Sequence, residues 1–296
     1  MRKPGRTEGG DGNVNRVDLH THSTFSDGSY TPVEIVGAAC GAGLRVMSLT
    51  DHDTVDGIPE ALSAAEISNP RLLLIPGVEI SSEYKCPLHI LGYFRPANYI
   101  GINDFLVKMK RERHIRNLGV IEKLNSLGIR VTFSEVAEIA GKEVFGRPHI
   151  AAALVRRGVS DSIPAAFKEY LANGRKAYVS KASLPPEGCV AAISGAGGVP
   201  VIAHPSKTGL RLSEVNALAG HLSGFGLMGI EAYNPEHTPK ETENYVLLAE
   251  SLNLLTTGGS DFHGAYRKHV DIGAGRDGNL RVPDAAAEGL LAALKW

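Results

Sequence analysis

Three cysteines in 296 residues are too few and too scattered to staple a fold. Cys40, Cys86 and Cys189 form an odd set with no C-x-x-C pair, which argues against a disulfide framework or a zinc ribbon. A reducing cytoplasm is the expected location. Net charge is equally scarce: 31 Lys and Arg against 32 Asp and Glu leave -1. No global field therefore favours duplex DNA or an acidic membrane surface, while a local basic patch stays compatible with that balance. Apolar runs of membrane length are missing, so no membrane partner is expected. The opening MRKPGRTEGGDGN is polar and glycine-rich, unlike a signal peptide, and residues 1–14 read as a loose tail. Internal repeats are missing too. What remains is 43% hydrophobic and 21% charged, the composition of a globular chain with ample core.

Short β-branched or leucine-rich runs alternate with amphipathic stretches. RVDLH (16–20), LRVMSLT (44–50), RLLLIPGVEI (71–80), HILGYF (89–94), VPVIAH (199–204), GIEAYN (229–234) and LLTTGGSD (254–261) read as strands. Thr31-Pro32, Pro59, Ser213 and Pro239 mark helix entries between them. Such alternation predicts an α/β fold with a parallel sheet, barrel or open. The barrel is favoured because polar candidate ligands gather at strand ends, where (β/α)-barrels build their active sites. Residues 100–179 interrupt the rhythm with helical patterns and read as an insertion. Residues 15–99 and 180–296 then form the barrel.

In VDLHTHSTFSDG, His20 and His22 lie two apart on a strand and point to one side. Alone, this is either a metal pair or two exposed polar residues beside a turn. Company decides between them. SLTDHD places His52 after a strand, IPGVEI holds Glu79 within one, and PLHILGY begins one near His89. VIAHP ends one at His204, and GGSDFHG sets Asp261 and His263 at alternate positions. Six of eleven histidines thus fall at strand termini. Imidazole and carboxylate without thiolate suit zinc, manganese or iron. With Asp27 the candidates exceed what one tetrahedral ion accepts, which implies a multinuclear cluster of the kind that hydrolyses phosphoesters.

The ordered set DLHTHS, SDG, TDHDT, PGVEIS, LHILGY, AHP and SDFHG resembles the polymerase-and-histidinol-phosphatase (PHP) superfamily over residues 17 to about 265. That resemblance implies a distorted (β/α)7 barrel with a helical insertion and three divalent ions, manganese first, with iron or zinc as alternatives. Carried over, His20, His22, Glu79 and Asp261 hold one ion. Glu79, His89 and His204 hold the second, and Asp27, His52 and His263 the third. Asp27 stands where some members carry histidine. Glu79, Asp261 and His204 are the implied catalytic centre, using a metal-bridging hydroxide. His237 in YNPEHT is a proton donor, a phosphate contact or a helix cap. Asp51 and Asp53 are expected to orient His52 or its neighbours.

GRPHIA (146–151) places Arg147 at a helix start, where anions are favoured, with His149 two residues on. It resembles the PHP subgroup acting on the 3′-phosphate of nucleoside 3′,5′-bisphosphates or on short 5′-phosphorylated oligoribonucleotides. By that resemblance Arg147, Arg116 and His149 contact the substrate, Arg through its planar fork. KMKRERHIRN, with Lys110, Arg113 and Arg116 three apart, is either a solvated basic face or a phosphate-binding ridge. Histidinol-phosphate phosphatase and an amidohydrolase-type C–N hydrolase are the competing enzymes. A non-catalytic metal-binding module is the competing class. No oligomeric state follows from the residues.

Overall fold

The structure is a computed structural model that describes residues 16–68, 71–140, 146–179 and 185–296. The tail expected at residues 1–14 lies outside the described residues. Two compact units emerge, one of Met1–Asn103 with Pro185–Trp296 and one of Asp104–Leu184. The helical stretch thus begins and ends a few residues later than the 100–179 expected.

The first unit carries seven strands: β1 (Val17–Thr21), β2 (Val46–Leu49), β3 (Leu73–Glu83), β4 (Pro87–Tyr93), β5 (Val199–Ile202), β6 (Gly229–Tyr233) and β7 (Leu255–Gly258). They lie side by side in chain order. Beyond β7 the chain turns back to β1: Asp261 N donates to His20 O at 2.9 Å, His22 N donates to Phe262 O at 2.9 Å, and Thr21 bridges Phe262. The sheet is therefore nearly closed into a barrel.

The expectation of an all-parallel sheet needs correction, because β4 pairs antiparallel with both β3 and β5. Only Tyr84–Cys86 separates β3 from β4. Three residues make a hairpin, whereas a parallel crossover needs a dozen or more. The remaining pairs, β1–β2, β2–β3, β5–β6 and β6–β7, are parallel.

The reversal has a consequence for the site. Residues paired across antiparallel strands share a face, so Gly77 with Tyr93, Glu79 with Leu91, and Ser81 with His89 form one row. The row runs from Ile75 and Tyr93, in the hydrophobic cluster, to Glu79 and His89 at one edge. That edge also holds the C-terminal ends of the other strands. His89 begins its strand yet arrives where the others end.

Helices connect these strands. Pro32–Gly41 starts with a capping box, Thr31 Oγ1 accepting from Glu34 N while Glu34 accepts from Thr31 N. Thr238 and Glu241 repeat the device at Pro239–Ser251. The Ser213 helix begins at Leu212, with Arg211 as its cap. Asp284–Ala293 packs Ala286, Ala287 and Leu290 against Val17, Leu19 and Val201 of the barrel.

The second unit contains helices Asn103–Ser126, from its second residue on, Phe133–Ala140 and Arg147–Arg156, followed by a short Ile163–Leu171 segment. They enclose their own core of Val120, Leu124, Val136, Ile150, Leu154 and Leu171. Among the described residues no helix is long and apolar enough to cross a membrane.

Candidate metal centre

Glu79 has no solvent exposure, and five imidazoles converge on its carboxylate. His204 Nε2 and His89 Nδ1 lie 2.7 and 2.8 Å from Oε1. His20 Nε2, His22 Nε2 and His52 Nδ1 lie 3.3, 3.3 and 3.1 Å from Oε2. The segment after β2 pairs with β3, Asp53 N donating to Glu79 O at 2.9 Å, and this sets His52 beside Glu79.

Asp261 completes the first cluster, its Oδ1 3.6 Å from His20 Nε2 and 3.3 Å from His22 Nε2. A second cluster surrounds Asp27. Its Oδ1 lies 3.6 Å from His22 Nδ1 and 3.4 Å from His263 Nε2, and its Oδ2 lies 3.7 Å from His52 Nε2. His22 and His52 thus turn one ring nitrogen to each cluster. All nine candidate ligands meet in four overlapping groups of donors: His22, Asp27, His52, His263; His20, His22, Glu79; His20, His204, Asp261; and His52, Glu79, His89.

These donors fit divalent cations. His20 Nε2, both nitrogens of His22, His52 Nδ1, Glu79 Oε2 and His204 Nδ1 are buried with no hydrogen-bond partner, which is costly unless something else satisfies them. Donors about 2.1 Å from a common ion lie roughly 3 to 3.5 Å from one another, as the Glu79 and Asp261 oxygens do from His20 and His22 within 0.1 Å or so. The set is nitrogen and oxygen without sulfur, which suits manganese, iron or zinc.

Orientation comes from residues the sequence reading passed over. Glu231 on β6, fully buried, accepts from His20 Nδ1 at 2.9 Å and from His204 N at 2.6 Å. That bond fixes the proton of His20 on Nδ1 and leaves Nε2 as a lone pair toward Glu79 and Asp261. Asp18 accepts from Ser260 Oγ at 2.6 Å, Ser260 N at 2.9 Å and Gly273 N at 2.7 Å, tying the loop after β7 to β1. Both are carboxylates inside apolar strands, the same signal that exposed Glu79. Lys207 and Arg267 were also missed. Both donate to Asp261 Oδ2, Arg267 Nη1 at 2.7 Å.

Electrostatics matches the geometry. Burial would raise Glu79, but His52, His89 and His20 hold it well below the usual carboxylate range. Asp261 is likewise held low against burial by His20, His22 and Lys207. Asp27 is pulled far down by His263, His52 and His22, which outweigh its own burial. Burial pulls His22 down, yet the Asp261 and Glu79 carboxylates beside it outweigh burial and lift the imidazole to about 9. Burial, with His22 and His89 nearby, drives His52 to about 4. Asp53, His204 and Asp261 adopt positive φ of 56°, 22° and 54°, backbone strain of the kind that clusters at functional sites.

Other expected site residues fall elsewhere. Asp51 accepts from Ser23 N at 2.7 Å and Ser23 Oγ at 2.6 Å, and Asp53 from Ser81 N at 2.9 Å, so these bonds brace the loop before Asp27 and strand β3 rather than the His52 ring. His237 lies outside the four donor groups. Its Nδ1 donates to Ala232 O at 2.9 Å, and burial lowers its pKa, favouring the neutral ring. On the neutral ring Nε2 is then a buried lone pair, an acceptor rather than the proton donor that was one of the three roles expected of it. Thr238, not His237, caps the following helix. In the second unit Arg147 opens its helix, with Nη1 donating to Leu171 O at 3.3 Å and the guanidinium 6.0 Å from the Phe167 ring. His149 Nδ1 accepts from Gly146 N at 3.2 Å, and Arg116 is buried beside Asn117.

Comparison with known proteins places this cluster. The PHP domain family matches residues 18–139. The 5′-3′ exoribonuclease Rnm of Salmonella typhimurium is 32% identical over 252 residues, 83% of this chain and 84% of the relative. The chain belongs to the PHP family. A second relative, the 3′,5′-nucleoside bisphosphate phosphatase of Chromobacterium violaceum, is 31% identical over 267 residues, 88% of this chain and 92% of that one. A Bifidobacterium adolescentis structure described as a metal-dependent phosphoesterase superposes with a TM-score of 0.69 at 30% identity, covering 94% of this chain and 96% of that one. PHP membership makes the chain a metal-dependent phosphoric ester hydrolase. The family match begins at Asp18, so the fastening of β1 by that residue lies within it.

Proposed function

We propose that the chain removes the 3′-phosphate of nucleoside 3′,5′-bisphosphates, trims short 5′-phosphorylated oligoribonucleotides, or does both, using three divalent ions with manganese as the first choice. The observation that carries this reading is Glu79, a buried carboxylate shared by five imidazoles, with Oε2 and several ring nitrogens unsatisfied. The relatives' names, an exoribonuclease and a nucleoside bisphosphate phosphatase, support the substrate class.

His20, His22, Glu79 and Asp261 would hold one ion. Glu79, His89 and His204 would hold the second, with Asp27, His52 and His263 holding the third. Such ions polarise phosphoryl oxygens and lower the pKa of water. The chain's own contribution is positional. Glu231 fixes the His20 tautomer, and the Asp261 carbonyl does the same for His263 by accepting from Nδ1 at 2.7 Å. His237, locked with Nε2 as a lone pair, serves as a proton acceptor. Arg116, Arg147 and His149 are proposed contacts for the substrate's 5′-phosphate, by resemblance. Three free cysteines suit a cytoplasmic setting.

The test is Glu79→Ala, with bound metal and phosphate release from adenosine 3′,5′-bisphosphate and from 5′-phosphorylated di- to pentanucleotides as readouts. The expected result is loss of most bound metal and at least a hundredfold loss of turnover on both substrates, in line with removal of a shared ligand. Full activity in that variant, or wild-type turnover on neither substrate, would refute the proposal.

A further inference from the structure

Arg116 and Arg147 are proposed for the substrate's 5′-phosphate; in the first unit, Lys207 and Arg267 both pair with the candidate ligand Asp261. The geometry points to these two side chains as the grip on the phosphoryl group that is hydrolysed. This inference rests on the phosphoesterase reading above and adds the residues that hold the dianion.

Asp261 divides its carboxylate. Oδ1 faces the imidazoles of His20 and His22, while Oδ2 receives both Lys207 Nζ and Arg267 Nη1. Two full positive charges therefore converge on one oxygen of a carboxylate whose other oxygen is a candidate ligand. A bound cation at Oδ1 draws on the same negative charge, and the pair is left undercompensated. Among the described residues no other carboxylate lies within ion-pair distance of either side chain. Glu236, whose charge they also feel, is held by Arg276 at 2.7 Å.

Both cations keep donors to spare. The Lys207 and Arg267 side chains are 27% and 31% exposed, against 3% for Asp261, so both are partly open to solvent. Lysine has three donors and arginine five, of which Asp261 takes one from Lys207 and one Arg267 nitrogen, Nη1, through its Oδ2 and its backbone carbonyl. A surplus of charge-assisted donors beside metal ligands suits phosphate oxygens, with the arginine fork able to take two at once.

Position is set by the backbone. Lys207 lies three residues after His204 in the turn Pro205–Thr208, closed by Lys207 N donating to His204 O at 3.0 Å. Arg267 lies four residues after His263, and its loop is pinned where Ser29 N donates to His263 O at 3.1 Å and Ala265 N donates to Ser29 Oγ at 2.7 Å. Gly264 within that loop has φ +64°, and a Cβ there would meet Ser29 Oγ at 2.2 Å. Each cation is thus fixed to the same short segment as a candidate ligand.

The test uses inorganic phosphate as the probe. It is titrated calorimetrically into the manganese-loaded full chain, wild type and the variants Lys207→Met, Arg267→Met, Lys207→Arg and Arg267→Lys, with metal content measured for each. The expected result is phosphate affinity about tenfold or more weaker in each methionine variant, with manganese content unchanged and most affinity restored by the charge-conserving variants. Unchanged phosphate affinity in both methionine variants would overturn the inference. So would a loss that follows loss of manganese, since the cations would then only position Asp261. Because phosphate binding is read without turnover, an inactive wild type would sink the substrate reading and leave this titration able to judge the pair.

Discussion

Burying a carboxylate is tolerated only when its charge is matched, and Glu79 is matched by five imidazoles, three of which turn toward it a buried nitrogen with no hydrogen bond. Proton balance at these residues gives a pH prediction. His22 is lifted to about 9, so its protonated form stabilises the metal-free fold in full below its ordinary value near 6.5. That contribution is lost as pH rises through about 9. Metal uptake runs the other way, because an ion needs the His22 lone pair and must expel its proton below that pH. Manganese binding at pH 7 is expected to release at least one proton per chain, and affinity should climb toward pH 9. Calorimetry in two buffers of different ionisation enthalpy measures the release; none at pH 7 contradicts it. Glu231 supplies a second prediction. Glu231→Gln keeps the size of the side chain but loses its charge and leaves one acceptor oxygen for two donors, His20 Nδ1 and His204 N, so metal affinity should fall by about ten- to a hundredfold. Equilibrium dialysis with manganese checks this, and unchanged affinity would show that the charge and second oxygen of Glu231 are not needed to orient the ligands.

Between the elements, the decisive contacts are close approaches of β7 to β1 and the reversal at β4. A Cβ on Gly259 would sit 2.4 Å from His20 N and 2.5 Å from His20 Cβ, with no room to move either. Gly259→Ala should cost about 1 to 3 kcal/mol by overpacking and displace His20, lowering metal occupancy as well as stability. Gly37→Ala is the contrast, since it lies exposed in Pro32–Gly41 with nothing near a new Cβ. It should stabilise by roughly 0.4 to 1 kcal/mol and leave metal binding alone. Thermal melts with and without manganese separate the two. How much of this was legible follows from what each element leaves in the sequence. The strands bearing His20 and Glu79, and those leading to His204 and Asp261, announce themselves because apolar runs end in chemistry. The direction of β4 did not, because Ser81, Ser82 and Glu83 extend β3 with polar residues. Backbone pairing to Pro87, Leu88 and His89 holds that extension, and such pairing writes no apolar pattern. Glu231 was legible by the same rule as Glu79 and was passed over for want of a histidine beside it. Lys207 and Arg267 carry no pattern at all; only folding brings them to Asp261.

For the molecule as a whole, the nine candidate ligands all belong to the discontinuous first unit, while the helical unit has a separate core. Ions bound at ligands drawn from β1, β3, β4 and the segments after β1, β2, β5 and β7 would couple parts of the chain more than two hundred residues apart, such as His20 and Asp261. A site filled at a hundred times its dissociation constant adds about 2.7 kcal/mol, which raises the melting temperature of a domain this size by roughly 5 to 10 °C. That gain should be local to the unit that binds. Hydrogen exchange of the full chain, with manganese and then with excess chelator, is expected to show slower exchange with metal across 16–103 and 185–296. The amides of Val120, Leu124, Ile150 and Leu154 in the helical core should exchange at the same rate in both conditions, because their protection comes from packing that no ion touches. An equal gain in both regions would mean that the units unfold only together, and protection lost from the helical core alone would contradict the assignment of every ligand to the barrel.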